Sequence, residues 1–151
     1  MSLNIISRID PTPKSVLFVC DLNSIRSPIA ESFLKSWVQK KIFIDSCGIG
    51  AGVIDPMVIE VMGEKNYDLS NHKSKSLSQL DDSNFDLMIA FSEHSYNSSV
   101  EFTKTLSCQV EYLPIADPSL AIGNRGQKLE SYRNVRDEIF SKLNNLFRDH
   151  Q

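Results

Sequence analysis

The chain is poor in residues that staple or punctuate unusual folds. It has three cysteines, at 20, 47 and 108, with no CxxC or HxxxH spacing beside them. An odd count without an export signal argues against a disulfide framework, and the spacing offers no zinc site. Glycine and proline number six each among 151 residues, too few for a fibrous or low-complexity chain. No repeat and no interdomain linker is visible. No apolar run reaches the roughly 18–20 residues that span a bilayer, so no membrane partner is expected. Residues 1–14 lack a basic head followed by an apolar core, so they do not read as a secretory signal. Basic residues do not outnumber acidic ones, with 16 Lys and Arg against 19 Asp and Glu. That balance excludes a general nucleic-acid binder, which needs a clustered cationic face. A single cytoplasmic domain is the expectation.

What the chain does have is strands alternating with helices. Residues 1–14 form a short polar lead-in with Asp10, Pro11 and Pro13, and the domain occupies 15–151. The run SVLFVC at 15–20 is continuously apolar and rich in β-formers, as in a strand buried on both faces. Ser27 and Pro28 then read as an N-cap and a first helical residue. Ile29, Ala30, Phe33, Leu34, Trp37 and Val38 form one helix face, ending near Lys40 and Lys41. A second strand is expected over 42–46, followed by glycines 48, 50 and 52. Asp55-Pro56 opens a helix striped by Met57, Val58, Val61 and Met62. Further strands fall at 85–91 and 109–115, and a long amphipathic helix at 125–148. This order predicts an α/β fold with a parallel sheet covered on both faces.

The chemistry concentrates in CDLNSIRS, residues 20–27, between a buried strand and a helix start. Parallel α/β sheets bind ligands beyond the carboxyl ends of their strands. A Cys-x5-Arg loop there can curl its N–H groups toward an anion, at the positive end of the helix dipole. Thiols at helix N-termini or beside cations ionise readily, and Arg26 supplies a planar fork for two phosphate oxygens. Asn23 tolerates the left-handed conformation of a tight loop. Cys47 and Cys108 read as inert buried thiols, and His72 taken alone as surface loop. Lys73 and Lys75 read as a solvated face, while His94 and His150 carry no context. Three Asp-Pro pairs compete as proton donors. Asp10 precedes the first strand, at the wrong end of the sheet. Asp55 is more simply a helix cap. Asp117 follows the last strand, at the same edge as Cys20.

Through VLFVC at 16–20 and RSPIAE at 26–31, the chain resembles the low-molecular-weight protein tyrosine phosphatases and the arsenate reductases that share their fold. The resemblance implies a single-domain three-layer αβα sandwich with a four-stranded parallel sheet in the order 2-1-3-4. It implies phosphomonoester hydrolysis through a cysteinyl-phosphate, with Cys20 as nucleophile, Arg26 as phosphate clamp and Asp117 as general acid. Residues Asp21, Leu22, Asn23, Ser24, Ile25 and Arg26 would cradle the phosphate. Ser27 would stabilise the thiolate, and Asn23, Ser46 and His72 would hold the loop from behind. Expected ligands are a phosphorylated protein or small aryl phosphate, and inorganic phosphate, sulfate or vanadate. No cofactor and no metal is implied.

Four departures from the family pattern carry consequences. Leu22 stands where the family has glycine. Ile25 replaces the second loop cysteine, so peroxide would over-oxidise Cys20 or join it to Cys47. Asp21 adds a negative charge beside an anion site, tolerable if its side chain points away to solvent. Ser119 and Leu120 replace the aromatic residues that line the phosphotyrosine slot, and Ser24 leaves phosphoarginine open beside phosphotyrosine. These features motivate a second reading, a catalytically weak phospho-ligand binding module. An arsenate reductase ranks behind both, since it needs two redox cysteines after the third strand. Residues 91–99 hold none, and Cys108 stands alone.

Overall fold

A computed structural model describes residues 13–38, 41–80 and 84–147 of the chain. Most of the lead-in, Lys40, Arg148 and His150 lie outside the described residues. Strand β1 (Ser15–Cys20) is the centre of the molecule, and its sequence explains why. Side chains alternate across a strand, and here both alternating sets are apolar. Val16, Phe18 and Cys20 face one core, while Leu17 and Val19 face the other. None of the five is more than 2% exposed. Burying each large side chain of this kind contributes about 1.5–3 kcal/mol, which fixes β1 in the interior of the sheet.

The remaining elements follow as α1 (Arg26–Val38), β2 (Phe43–Gly48), α2 (Pro56–Gly63), β3 (Leu87–Ala90), α3 (Glu93–Phe102), β4 (Gln109–Tyr112) and α4 (Arg125–Phe147). Four parallel strands lie in the order β2-β1-β3-β4. Helices α1, α2 and α4 bury Phe33, Val61 and Ile139 against one face. On the other, the chain packs Tyr96 and Phe102 of α3 with Leu77 of a short 3-10 turn. The result is a three-layer αβα sandwich. The connection from β1 runs to β2 on one side, and the chain then crosses to β3 on the other. Ligands bind at such a reversal of strand order, and residues 20–26 sit there.

Two local expectations are revised. Helix α1 starts at Arg26 rather than after a Ser27 cap, with Ile25 O accepting the first helical bond from Ile29 N at 3.3 Å. Ser27 is unavailable as a cap because its hydroxyl turns back under the loop. Helix α3 was not expected. Its buried positions are Ser95 and Ser99 rather than large apolar residues, so it lacks an apolar stripe. Its start is set by Ser92, whose Oγ accepts from Ser95 N at 3.0 Å. At α2 the Asp55-Pro56 reading agrees with the structure, since Asp55 Oδ1 accepts from Met57 N at 2.8 Å.

Candidate active site

Every carbonyl of the loop from Cys20 to Ile25 accepts a hydrogen bond. Ile49, Gly50 and Gly52 donate their N–H groups to Cys20, Asp21 and Leu22, at 3.0, 2.9 and 2.9 Å. Ser74 Oγ donates to Asn23 O at 2.6 Å, and Asp55 N to Ser24 O at 3.1 Å. Ile25 O is taken by α1. In a planar trans peptide the carbonyl and the next N–H point in opposite directions. With the carbonyls turned toward the flanking chain, the N–H groups of residues 21–26 turn toward the loop's centre.

The glycine-rich segment after β2 is what allows this strapping. A Cβ on Gly48 would strike Gly50 O and lie 2.6 Å from both Asn23 N and the Leu22 carbonyl carbon. Gly48→Ala is therefore expected to cost about 3 kcal/mol by overpacking and to weaken phosphate binding. Urea unfolding and phosphate titration check it. Leu22 is accommodated where the family has glycine. The loop residue at positive φ is Asn23, at 55°, so position 22 needs no glycine.

Asn23 locks the loop from behind, fully buried. Its Nδ2 donates to Ser27 Oγ at 2.8 Å and to Ser46 Oγ at 3.0 Å. Its Oδ1 accepts from Lys75 N at 3.1 Å and meets His72 Nε2 at 3.0 Å. An oxygen can only accept, so His72 carries its proton on Nε2. Burial holds the His72 pKa below its usual value, which keeps the ring neutral near pH 7. Ser46 Oγ donates its own hydrogen bond to Glu31 Oε1. Asn23 thus faces away from the anion side, and only its backbone N–H is placed to serve there.

Ser27 Oγ lies 2.9 Å from Cys20 Sγ and 3.2 Å from Cys47 O, and it accepts from Asn23. One hydroxyl carries one proton. With Cys20 as thiol, the serine proton can rest on Cys47 O. With Cys20 as thiolate, that proton turns to the sulfur. The loop therefore has a ready donor for the anionic form.

A cavity of about 60 Å³ is lined by Cys20, Asp21, Leu22, Ser24, Ile25 and Arg26 of the loop together with Asp117 and Ser119. Arg26 is anchored through Nη1 to Ile115 O at 2.9 Å. Asp117 caps a 3-10 turn (Pro118–Leu120), accepting through Oδ1 from Ser119 N at 2.9 Å and Ser119 Oγ at 2.7 Å. Asp21 does not point away to solvent. Its Oδ2 lies 3.3 Å from Arg26 Nη2, and its Oδ1 accepts from Ser92 Oγ at 2.7 Å. The unused guanidinium edge and the Ser92 hydroxyl are better partners than water for a half-exposed carboxylate.

The sequence matches the low molecular weight phosphotyrosine protein phosphatase family over residues 15–151. The chain belongs to this family. Among curated members, the glutaredoxin arsenate reductase of Synechocystis is 31% identical over 134 residues, spanning 88% of this chain and 95% of that protein. A structure described as an arsenate reductase in the phosphate binding state superposes with a TM-score of 0.74 at 30% identity, covering 91% of this chain and 99% of the other. The tyrosine phosphatase AmsI of Erwinia amylovora shares the fold, with a TM-score of 0.76 at 18% identity over 93% and 96% of the two chains. These relatives correct one ranking. Arsenate reduction stands beside phosphoester hydrolysis within the family, not behind a binding module.

The other two thiols do not reach the cavity. Cys47 pairs with Val19 across β1 and β2, so its side chain faces the opposite core from Cys20. Burial, then the neighbouring Cys20, pushes its pKa up to about 12. Cys108 precedes β4 at the far end of the sheet, and burial raises its thiol to about 11. A disulfide needs Cβ atoms about 3.5–4.5 Å apart on converging bonds, so of the two oxidation outcomes the 20–47 link does not fit. After mild peroxide, a non-reducing peptide map is expected to show Cys20 carried to its sulfinic or sulfonic acid. A recovered 20–47 pair would contradict this.

Sequence reasoning passed over Glu31, Ser74 and Ser92 as site residues. Ser92 has an N-cap side chain by type, but its N3 partner is Ser95 rather than the Glu or Gln of the usual capping-box pattern, so the helix start carried little signal. Lys75 was read as a solvated face, yet its N–H joins Asn23 and its Nζ pairs with Asp45 at 2.7 Å.

Proposed function

We propose that the protein is a cysteine-dependent phosphomonoester hydrolase of the tyrosine phosphatase type. One observation carries this reading: Cys20 Sγ, the Arg26 guanidinium and the Asp117 carboxyl group line the same cavity, under a loop whose carbonyls are all strapped outward. The thiolate of Cys20 attacks phosphorus, forming the S–P bond as the P–O bond to the leaving group breaks. Asp117 gives its proton to the departing oxygen through Oδ2, its other oxygen being engaged by Ser119. Water, deprotonated by Asp117, then cleaves the S–P bond and releases inorganic phosphate. Arg26 and the inward N–H groups hold the phosphoryl oxygens throughout. Cys20 is only 2% exposed, so it is reached by a long stem such as a tyrosyl or other aryl phosphate. A thiolate nucleophile works where thiols stay reduced, as in cytoplasm. No helix among the described residues is long and apolar enough to cross a membrane.

The named relatives favour arsenate reduction as a second reading. There Cys20 would displace hydroxide from arsenate to form an S–As bond. A second thiolate would then attack Cys20 Sγ, closing a disulfide as the bonding pair passes to arsenic and arsenite leaves. With Cys47 on the opposite face and Cys108 at the far edge, that thiol must come from outside the chain, from glutathione or a dithiol protein. Two assays separate the readings: p-nitrophenyl phosphate hydrolysis at about pH 5.5, and arsenite formation with added thiol. Ester turnover that is lost in Cys20→Ser supports the hydrolase. Thiol-dependent arsenite without ester turnover assigns the reductase. Phosphate binding with neither activity returns the site to a binding module.

A further inference from the structure

Among the described residues Arg26 is the one basic group lining the cavity, and it is already partly engaged. Nη1 donates one proton to Ile115 O, and Nη2 faces Asp21 Oδ2. Asp21 is fixed in its turn from outside the loop. Its Oδ1 accepts a hydrogen bond from the hydroxyl of Ser92, the residue that caps α3. Its side chain is 41% exposed, yet the residue stands in the wall of the cavity. With Cys20 as thiolate and Asp117 ionised, the lining groups carry three negative charges against one positive. An incoming oxyanion that pairs with this guanidinium through Nη2 therefore lies beside a carboxylate held by Ser92.

We propose that Asp21 is a specificity-determining residue that weakens the hold on doubly charged oxyanions, so that the product of hydrolysis, inorganic phosphate, leaves readily. It rests on the hydrolase reading for its purpose. The charge effect itself concerns binding alone. After the S–P bond is cleaved, the cavity holds a phosphate dianion beside a regenerated thiolate. A third anion fixed a few ångströms away drives that state apart. It does so without touching the loop N–H groups. A residue serving only to brace Arg26 acts in the opposite sense, because its loss leaves the guanidinium loose and phosphate binding weaker.

The two roles differ in sign, which Asp21→Asn reads directly. Asparagine keeps the shape and can still accept the Ser92 hydroxyl while losing the charge. Phosphate affinity, measured by calorimetry and as competitive inhibition of p-nitrophenyl phosphate hydrolysis, is expected to tighten about tenfold at low ionic strength. The gain shrinks as salt is added. Asp21→Leu, which removes the hydrogen bonds as well, is expected to tighten too. A folded Asp21→Asn variant whose phosphate affinity is unchanged or weaker overturns the proposal. Tightening in a protein that hydrolyses no ester supports the charge role while rejecting the hydrolase reading, so the two fail separately.

Discussion

Serine in place of Cys20 is expected to remove turnover, by a factor on the order of 10⁴ or more, while leaving phosphate binding in place. The substitution is close to isosteric, and the residue keeps its neighbour Ser27 Oγ, 2.9 Å from the present sulfur. The strapped carbonyls, Asn23 and Arg26 do not depend on the side chain at position 20, so the cradle survives. What is lost is the nucleophile. A hydroxyl at neutral pH is almost wholly protonated, and among the described residues the group hydrogen-bonded at this position is Ser27, a serine already bonded to Asn23 and no base. Neither remaining thiol can substitute. Cys47 lies across the sheet with its thiol held protonated by burial, and Cys108 is at the other edge. Steady-state hydrolysis of p-nitrophenyl phosphate, paired with phosphate calorimetry on the same sample, checks both halves. Activity retained within tenfold would remove Cys20 from the chemistry. Loss of phosphate binding along with activity would mean that the thiol shapes the cradle.

The fold was legible where burial leaves a periodic trace. β1 is apolar at every position because both its faces are covered, and α4 shows its stripe because one face meets solvent. α3 left no such trace, because Ser95 and Ser99 occupy its inward positions and the contact with the sheet is made by Tyr96 and Phe102. The loop was legible in another way. Its spacing, the strand before it and the helix after it placed Cys20, Arg26 and the inward N–H groups together. Linear spacing does not say which way a short side chain turns. Ser27 reads equally well as a helix cap or as a partner for the sulfur, and only the close approach of Cys47 O and Asn23 decides it. For Asp21, solvent was the only tolerable direction visible in the sequence, because its partner, Ser92, is 71 residues away. The same holds for Cys47. It is one register step from Cys20 on neighbouring strands, and strand alternation puts the two side chains on opposite faces.

Asp117→Asn is expected to slow poor leaving groups far more than good ones. Asparagine can still accept from Ser119 N and Oγ through its carbonyl oxygen, so the turn at Pro118–Leu120 and the cavity wall are retained. Only the transferable proton is gone. Positioned proton transfer contributes roughly 10²–10⁴-fold to such steps, and the need for it rises with the basicity of the departing oxygen. A phenolate or alkoxide leaving group requires the proton as the P–O bond breaks, whereas p-nitrophenolate leaves as an anion. The quantity to compare is kcat/KM, which reports steps up to formation of the cysteinyl-phosphate and is blind to its later hydrolysis. For phenyl phosphate it is expected to fall on the order of 10²–10³-fold, and for p-nitrophenyl phosphate by less than about tenfold. The logarithm of kcat/KM should then depend steeply on leaving-group pKa in the variant and weakly in the parent. Parallel lines for the two proteins would mean that Asp117 contributes through charge or shape alone. The proton would then have to come from another group. Asp21, the other carboxyl group in the wall, is already bonded to Ser92 and Arg26. Leaving-group dependence therefore tests which of the two carboxyl groups faces the departing oxygen.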